Sequence, residues 1–271
     1  MQHALGITEP TTTGRIASAG RPGSTALVLD DAGVVEHAEA RLALSRALWV
    51  VEQVSDGDTL TVRSGSRRLQ VRLLGIDAPE LNFRGQRQSP WAEAALRQLR
   101  SLAPPGAQVQ LMTDRQAVDQ YGRLLAYIVR GQRNLNLELL HSGWAVAYLI
   151  YPNLTLLPQV QAATAAAVAR GRGIFDRRTP LPLLPYELRQ RVENRPPSKF
   201  CGDTRTHRYY GPAEYQRVPV AWRVFFFTEA QARAFGYSPA VPLATPMNGL
   251  GGARPDGTPV RAAPEPMPRS A

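Results

Sequence analysis

The segment VRLLGIDAPE, residues 71–80, decides how the whole sequence is interpreted. Its apolar run is typical of a buried strand, yet it carries Arg72 and stops at Pro79, with Asp77 and Glu80 close to the break. Asp and Pro both favour turns, so an ordinary surface turn is one explanation. Two carboxylates near a guanidinium at a strand end also suit a chemical site, and the rest of the sequence must decide between them.

Composition limits the classes of protein that fit. The chain has 271 residues, 44% of them apolar, and a net charge of +10 that favours a polyanionic partner such as nucleic acid. A bias towards arginine codons is the alternative, because Lys199 is the only lysine. A single cysteine, Cys201, excludes an internal disulfide framework and a cysteine-rich zinc site. No run of apolar residues is long enough to predict a membrane span.

The pattern of apolar residues predicts a β-barrel with helices. Five stretches have strand character, and the predicted turn between the second and third is SGSRR at 64–68. A helix should run from Ser89, as N-cap, and Pro90 to about Leu102. Two more helices follow, in LNLELLHSG and from Thr155 to Arg170. The expected fold class is α+β: a five-stranded OB-fold barrel with about three helices. The strands are WVVEQV, TLTV, RLQVRLLGI, AQVQLMT and RLLAYIVR.

The same pattern divides the chain into five segments. Residues 1–45 are predicted to be disordered and dispensable for folding and catalysis, and residues 46–178 form the barrel domain. Residues 179–198 are interpreted as a proline-rich linker, residues 199–243 as a small module, and residues 244–271 as a flexible tail.

Charged residues elsewhere complete a candidate site. In SDGDTL, Asp56 and Asp58 are two residues apart, which on an extended segment places both side chains on one face. In DQYGRLLAY, Arg123 begins a strand after a tight turn. Paired carboxylates suit Ca²⁺, a further carboxylate can orient or deprotonate water, and two guanidinium groups can bind a phosphoryl group. This set fits phosphodiester hydrolysis, and the structural alternative is an ion-pair network at a barrel rim.

Five ordered motifs resemble the staphylococcal nuclease (thermonuclease) family over roughly residues 48–176. They are DGDT, RLLGIDAPE, PWAEAA, DQYGRLLAY and AVAYLIYPN. The resemblance implies an OB-fold barrel that binds one Ca²⁺ and hydrolyses DNA and RNA with little sequence preference, leaving 3′-phosphate ends. DNA and RNA are therefore the expected partners, of a monomer, and the sequence leaves the preference between them open.

The resemblance also implies roles for individual residues. Asp58, Asp77 and the backbone carbonyl of Ala78 would bind Ca²⁺, with Asp56 supporting the site from outside the direct ligands. Glu80 would position or deprotonate the attacking water, while Arg72 and Arg123 would stabilise the five-coordinate phosphorus. Tyr121 and Tyr148 would contact the substrate. Ile150 stands where a second nucleotide-binding tyrosine is expected, and whether Tyr151 replaces it is open.

Two further questions remain open from the sequence. RVFFFTEAQARAFGYSPA, residues 223–240, resembles the end of the small zinc module of alkylation-repair proteins. The segment at 199–243 offers only Cys201 and His207 as ligands, so a degenerate module is expected. Its arginines, at 205, 208, 217 and 223, could add basic surface. A non-catalytic nucleic-acid-binding or protein-binding module is the alternative to an enzyme. Localisation is unknown: the start has no visible signal peptide, which favours the cytoplasm by default, with export possible if the start is misassigned.

Overall fold

The computed structural model describes residues 45–240 of the chain. The predictions for residues 1–44, for the end of the small module at 241–243 and for the tail at 244–271 lie outside the described residues. Residues 45–239 belong to one compact unit. No helix within residues 45–240 is both long enough and apolar enough to cross a membrane.

The first part of this unit is a strongly curved sheet with helices around it. Its elements are β1 (Trp49–Asp56), β2 (Thr59–Ser64), β3 (Arg67–Leu73), β4 (Ile76–Asp77), α1 (Trp91–Leu102), β5 (Gln108–Val118), β6 (Leu124–Arg130), β7 (Arg133–Asn134), α2 (Leu135–His141), β8 (Val146–Ala147) and α3 (Leu157–Arg170). The six-stranded sheet has the order β3-β2-β1-β5-β6-β7, and parallel pairing of β3 with β6 closes it into a barrel. In that pairing Arg72 lies opposite Leu125. The five-stranded barrel with about three helices is thus confirmed.

Local sequence explains most of these elements. Buried apolar residues recur along α1 at Ala92, Ala95, Leu99 and Leu102, so one face of the helix packs on the barrel. This helix begins at Trp91, with Pro90 rather than the expected Ser89 as its N-cap. The Ser89 hydroxyl instead donates to Glu93 Oε1 at 2.6 Å, which explains why it does not cap the backbone.

The second part is not an isolated appendage. It contains α4 (Pro185–Val192), β9 (Phe200–Asp203), β10 (Arg208–Tyr210), β11 (Arg223–Phe226), α5 (Glu229–Ala234) and β12 (Ser238–Pro239), and its sheet has the order β11-β9-β10-β12. Val224 and Phe226 of β11 lie in the same apolar cluster as Trp49 and Leu60 of the barrel. The segment interpreted as a linker contains α4, while the predicted boundaries at 178, 198 and 243 stay predictions.

Two expectations about the small module can be compared with its packing. Arg223, expected on a basic surface, is buried and donates to Val218 O at 2.8 Å and to the Tyr186 hydroxyl at 2.6 Å. That part of the prediction was wrong, because the guanidinium satisfies buried oxygens of neighbouring segments. Cys201 is buried in β9, and the His207 ring packs against Tyr237 with centroids 5.4 Å apart. The resemblance to a zinc module stays a prediction.

Candidate active site

The acidic residues meet at one end of the barrel because three short segments converge there. Asp56 ends β1, Asp58 lies in the turn to β2, and Asp77 ends β4. The turn is tight, since a Cβ at Gly57 would lie 2.7 Å from the Cβ atoms of both Ala78 and Ala95. Glycine therefore lets the turn pack directly against the segment that carries Asp77.

Arg72 links two of these acids. Its Nη1 lies 2.9 Å from Asp58 Oδ2, and its Nη2 donates to Asp77 Oδ1 at 2.7 Å. Asp58 Oδ2 also accepts from the backbone N–H of Ala78 at 2.7 Å, and the Asp77 side chain is completely buried. The structure thus brings together Arg72, Asp58, Asp77 and Ala78, and their roles stay predictions. A buried carboxylate that is bound in this way has a fixed orientation.

Glu80 is placed by its backbone as well as by its side chain. Its N–H donates to Gln88 Oε1 at 3.0 Å, and its carbonyl accepts from the Gln88 N–H at 2.9 Å. The buried Gln88 amide also donates to Leu183 O at 2.7 Å. One glutamine therefore ties the Glu80 loop to the segment that leads into α4.

The electrostatics of the acidic cluster favour binding of a cation. Burial, reinforced by the charge of Asp58, raises the pKa of Asp56 to about 7. Burial also raises the pKa of Glu80, although the nearby Arg189 offsets part of this effect. Burial is the main cause of both shifts, and repulsion between neighbouring carboxylates adds to it, so a bound cation would stabilise the ionised forms.

Arg189, in α4, is a member of the site that sequence reasoning missed. Its Nη1 and Nη2 donate to Asp77 Oδ1 at 3.0 Å and Oδ2 at 2.8 Å, and its guanidinium also binds the Glu80 carboxylate. Burial opposes its charge, but Asp77 and Glu80 hold the pKa of Arg189 well above its usual range. Glu187 in PYELRQRV could have signalled a helix start, since its side chain accepts from the Leu184 N–H at 2.9 Å. No local pattern signals the contact with Asp77.

Arg123 and Tyr121 lie together at the turn before β6. The Arg123 Nε donates to Asp119 Oδ2 at 2.8 Å, and its guanidinium carbon lies 5.4 Å from the Tyr121 ring centroid. The Tyr121 side chain is largely exposed. The structure therefore pairs Arg123 with Asp119 rather than with the acidic cluster. Its role at the phosphate, and that of Tyr121 at the substrate, stay predictions.

The remaining aromatic candidates pack against the second part of the unit. The Tyr148 ring stacks on Tyr186 with centroids 5.0 Å apart and planes 12° apart. The Tyr151 ring packs against Phe226, with centroids 5.9 Å apart, and Ile150 bridges to Phe225. Tyr151 thus contributes to an apolar contact, and substrate binding by Tyr148 stays a prediction.

The oxygen atoms at this site fit a hard cation, although guanidinium groups bind some of the same oxygens in this structure. Asp58, Asp77 and the Ala78 carbonyl offer the oxygen ligands that Ca²⁺ prefers, and Asp56 adds a further carboxyl group whose pKa is raised mainly by burial and then by the charge of Asp58. Across residues 45–240, no three His, Cys, Asp or Glu side chains already form a metal cage. The Asp77 oxygens are bound by Arg72 and Arg189.

Comparisons with known proteins indicate a nuclease family. A family model described as staphylococcal nuclease homologue matches residues 70–177. Endonuclease YhcR of Bacillus subtilis (strain 168) is 32% identical over 199 residues, which cover 69% of this chain but only 16% of YhcR. The thermonuclease of Staphylococcus intermedius is 30% identical over 129 residues, or 48% of this chain and 76% of that protein. The thermonuclease of Staphylococcus hyicus is 32% identical over 129 residues, covering 47% and 75% respectively.

The thermonuclease matches span about three quarters of those proteins. The range matched by the family model includes Arg72, Asp77 and Glu80. The chain therefore belongs to the staphylococcal nuclease family of enzymes.

Proposed function

We propose that the chain is a Ca²⁺-dependent nuclease that hydrolyses phosphodiester bonds of DNA and RNA with little sequence preference and leaves 3′-phosphate ends. One observation carries the proposal: Arg72 binds both Asp58 and Asp77, and the Glu80 carboxylate is joined to Asp77 by a shared guanidinium, that of Arg189. These residues come from separate segments, and the barrel closure brings them together. The net charge of +10 suits a polyanionic substrate.

Asp58, Asp77 and the Ala78 carbonyl would hold Ca²⁺, with Asp56 nearby as a further negative charge. Bound Ca²⁺ would supply charge stabilisation for a phosphoryl oxygen, as Lewis-acid metal ions do. The residues of the chain provide the rest of the chemistry.

Glu80 orients the attacking water or accepts its proton, because its carboxylate is anchored beside the acidic cluster. Arg72 donates from two nitrogens at fixed positions, a geometry that suits a phosphate whose oxygens gain charge. Arg123 would provide the second guanidinium from the Asp119 turn. Water adds to phosphorus and the bond to the 5′ oxygen breaks, which leaves a 3′-phosphate and a 5′-hydroxyl.

A cleavage assay tests the proposal. Single-stranded DNA, duplex DNA and RNA are each incubated with the full chain in millimolar Ca²⁺, in Mg²⁺ or with chelator. We expect cleavage of all three substrates in Ca²⁺, little in Mg²⁺, which demands a tighter octahedral site, and none with chelator. The new 5′-hydroxyl ends should accept a radioactive phosphate from a polynucleotide kinase directly. An enzyme that requires a 3′-hydroxyl should extend the new 3′ ends only after treatment with a 3′-phosphatase.

Two outcomes contradict the proposal. Equal cleavage in Ca²⁺ and in chelator would remove the metal from the mechanism. Absence of cleavage with retained, salt-dependent binding of nucleic acid would favour the non-catalytic binding module. Glu214→Gln is a suitable control for both, because it removes an exposed acid that pairs with Arg217 outside the acidic cluster, and its cleavage should match that of the native chain.

A further inference from the structure

Arg189 lies where a metal-ligating carboxylate would meet its cation. It binds both oxygens of Asp77, whereas Arg72 binds only Oδ1. The Asp77 side chain is completely buried, so it has no exposed face on which a further cation could bind. Its Oδ2, held at 2.8 Å by Arg189, is the oxygen for which a cation must compete.

The same guanidinium joins two acids that are expected to act on the metal and its water. Arg189 binds Asp77 and Glu80 together, from a helix that follows the residues matched by the family model at 70–177. Arg189 and a divalent cation would both be stabilised at this position by the negative charges of Asp77 and Glu80. Two positive charges at such close range repel each other strongly even near the protein surface, so the two cations cannot occupy the position together.

The helix that carries Arg189 is anchored independently of that arginine. Tyr186 is buried in its first turn, stacks on Tyr148 and accepts a hydrogen bond from Arg223 at 2.6 Å. Glu187 accepts from the Tyr215 hydroxyl at 2.8 Å. The Arg189 side chain is 26% exposed, so part of it reaches solvent and it can change conformation while α4 stays in place.

From these contacts, and resting on the proposed function, we propose that Arg189 is a displaceable internal cation that occupies the Ca²⁺ position between Asp77 and Glu80. Ca²⁺ must release Arg189 from Asp77 Oδ2 before it can bind. Arg189 thereby lowers the affinity of the site for metal and neutralises the two acids when metal is absent. The enzyme would then need a higher Ca²⁺ concentration for activity than the carboxylates alone require.

Calorimetric titration of the full chain with Ca²⁺, in the absence of nucleic acid, tests this competition. Arg189→Gln should bind Ca²⁺ about tenfold more tightly than the native chain, equivalent to about 1.4 kcal/mol. Arg191→Gln is the matched control, since it removes the same charge from an exposed position on the same helix and should leave the affinity unchanged. Asp77→Asn should abolish the binding heat and so locate the titrated site.

Arg189→Lys protects the test against misfolding of the glutamine variant. Lysine keeps the charge but cannot bind both Asp77 oxygens and Glu80 with a planar fork. The Ca²⁺ affinity of Arg189→Lys should therefore lie between those of the native chain and Arg189→Gln. Folding of each variant is checked by circular dichroism and urea unfolding.

Affinities of folded Arg189→Gln and Arg189→Lys that equal or fall below the native value would overturn the competition. If the native chain binds and is activated by Ca²⁺ in that case, the proposed function stands and only the role of Arg189 fails. A native chain that binds no Ca²⁺ would remove the metal from the proposed function, and with it the competition.

Discussion

At the scale of single residues, Glu80 is fixed at both ends, by Gln88 through its backbone and by Arg189 through its carboxylate. Glu80→Gln keeps the shape of the side chain but removes its ability to accept a proton. We expect turnover to fall about 10²–10⁴-fold, with substrate affinity nearly unchanged. Single-turnover cleavage measures the first quantity. Binding of a non-hydrolysable substrate in the presence of Ca²⁺ measures the second. Near-native turnover would make Glu80 a structural turn residue.

The two predicted phosphate-binding arginines differ in their partners. Arg72 binds two acids and is largely buried, while Arg123 binds Asp119 alone. Arg72→Lys and Arg123→Lys both retain the charge and lose the planar fork, so both should cleave far more slowly than the native chain. Only Arg72→Lys should also lower the free energy of unfolding measurably, because lysine cannot bind Asp58 and Asp77 with the same geometry. Native cleavage rates in either variant would exclude that arginine from phosphate binding.

Cys201 gives a residue-scale test of the small module. Burial raises the pKa of its thiol to about 12, and its side chain is inaccessible. Because the thiolate is the reactive species, the native protein should not react with a thiol reagent at neutral pH. One equivalent should react in guanidinium chloride, since Cys201 is the only cysteine. Fast reaction in the native state would contradict the buried position of β9.

The residue types around Asp58, Arg72 and Asp77 suggested a site at strand ends and tight turns, and the resemblance of the motifs to the nuclease family is what assigned these three residues to one site. Arg189 could not be predicted in this way. It is one arginine among many, and its contact with Asp77 spans 112 residues of sequence. Such a contact depends on how α4 packs, which no local spacing encodes.

At the scale of elements, the turn between β1 and β2 depends on close approach to α1. Gly57→Ala would place a methyl group 2.7 Å from the side chains of Ala78 and Ala95, so the turn and the helix must move apart. We expect a loss of about 1–3 kcal/mol in the free energy of unfolding, the usual range for overpacking, together with weaker Ca²⁺ binding as Asp58 shifts.

Gly65→Ala is the control for this substitution. It lies in the β2–β3 turn at φ +59° with nothing near its Cβ, so it introduces backbone strain without a clash. Its effect on stability should be about 1 kcal/mol, and Ca²⁺ binding should not change. Equal Ca²⁺ affinities in the native chain and Gly57→Ala would show that this approach does not position Asp58.

The elements that could be predicted from sequence are those with a strong period. Alternation identified β1, β2, β3, β5 and β6, and the face of α1 follows from Ala92, Ala95 and Leu99. Helix α4 has eight residues between prolines and no continuous apolar stripe, so composition favoured a linker. Tertiary contacts of Tyr186 and Glu187, rather than local preference, stabilise it.

At the scale of the whole molecule, the barrel and the second sheet share an apolar cluster. Phe226 is completely buried in it and packs against Tyr151 and Tyr237. Phe226→Ala should lower the free energy of unfolding by about 3–5 kcal/mol, and the barrel should be destabilised together with the second sheet. Urea unfolding monitored by circular dichroism and by tryptophan fluorescence should therefore show coincident, shifted transitions.

Phe227→Ala is the neighbouring control, because the Phe227 side chain is 52% exposed. Its unfolding midpoint should remain near the native one. Separate transitions in Phe226→Ala, with only one of them shifted, would show that the two parts unfold independently and would support the boundaries predicted from sequence.

The hydrogen bonds of Gln88 have a consequence for any attempt to transplant the nuclease barrel into another protein. A chain cut after residue 178 would lose the Leu183 carbonyl that accepts from the buried Gln88 amide at 2.7 Å, and also the guanidinium that covers Asp77. The excised barrel would carry a donor without an acceptor next to the loop that orients Glu80. A graft that ends beyond α4, and better beyond β11, includes those partners. The smallest segment that can be transplanted intact is therefore longer than the stretch that the family model matches, residues 70–177.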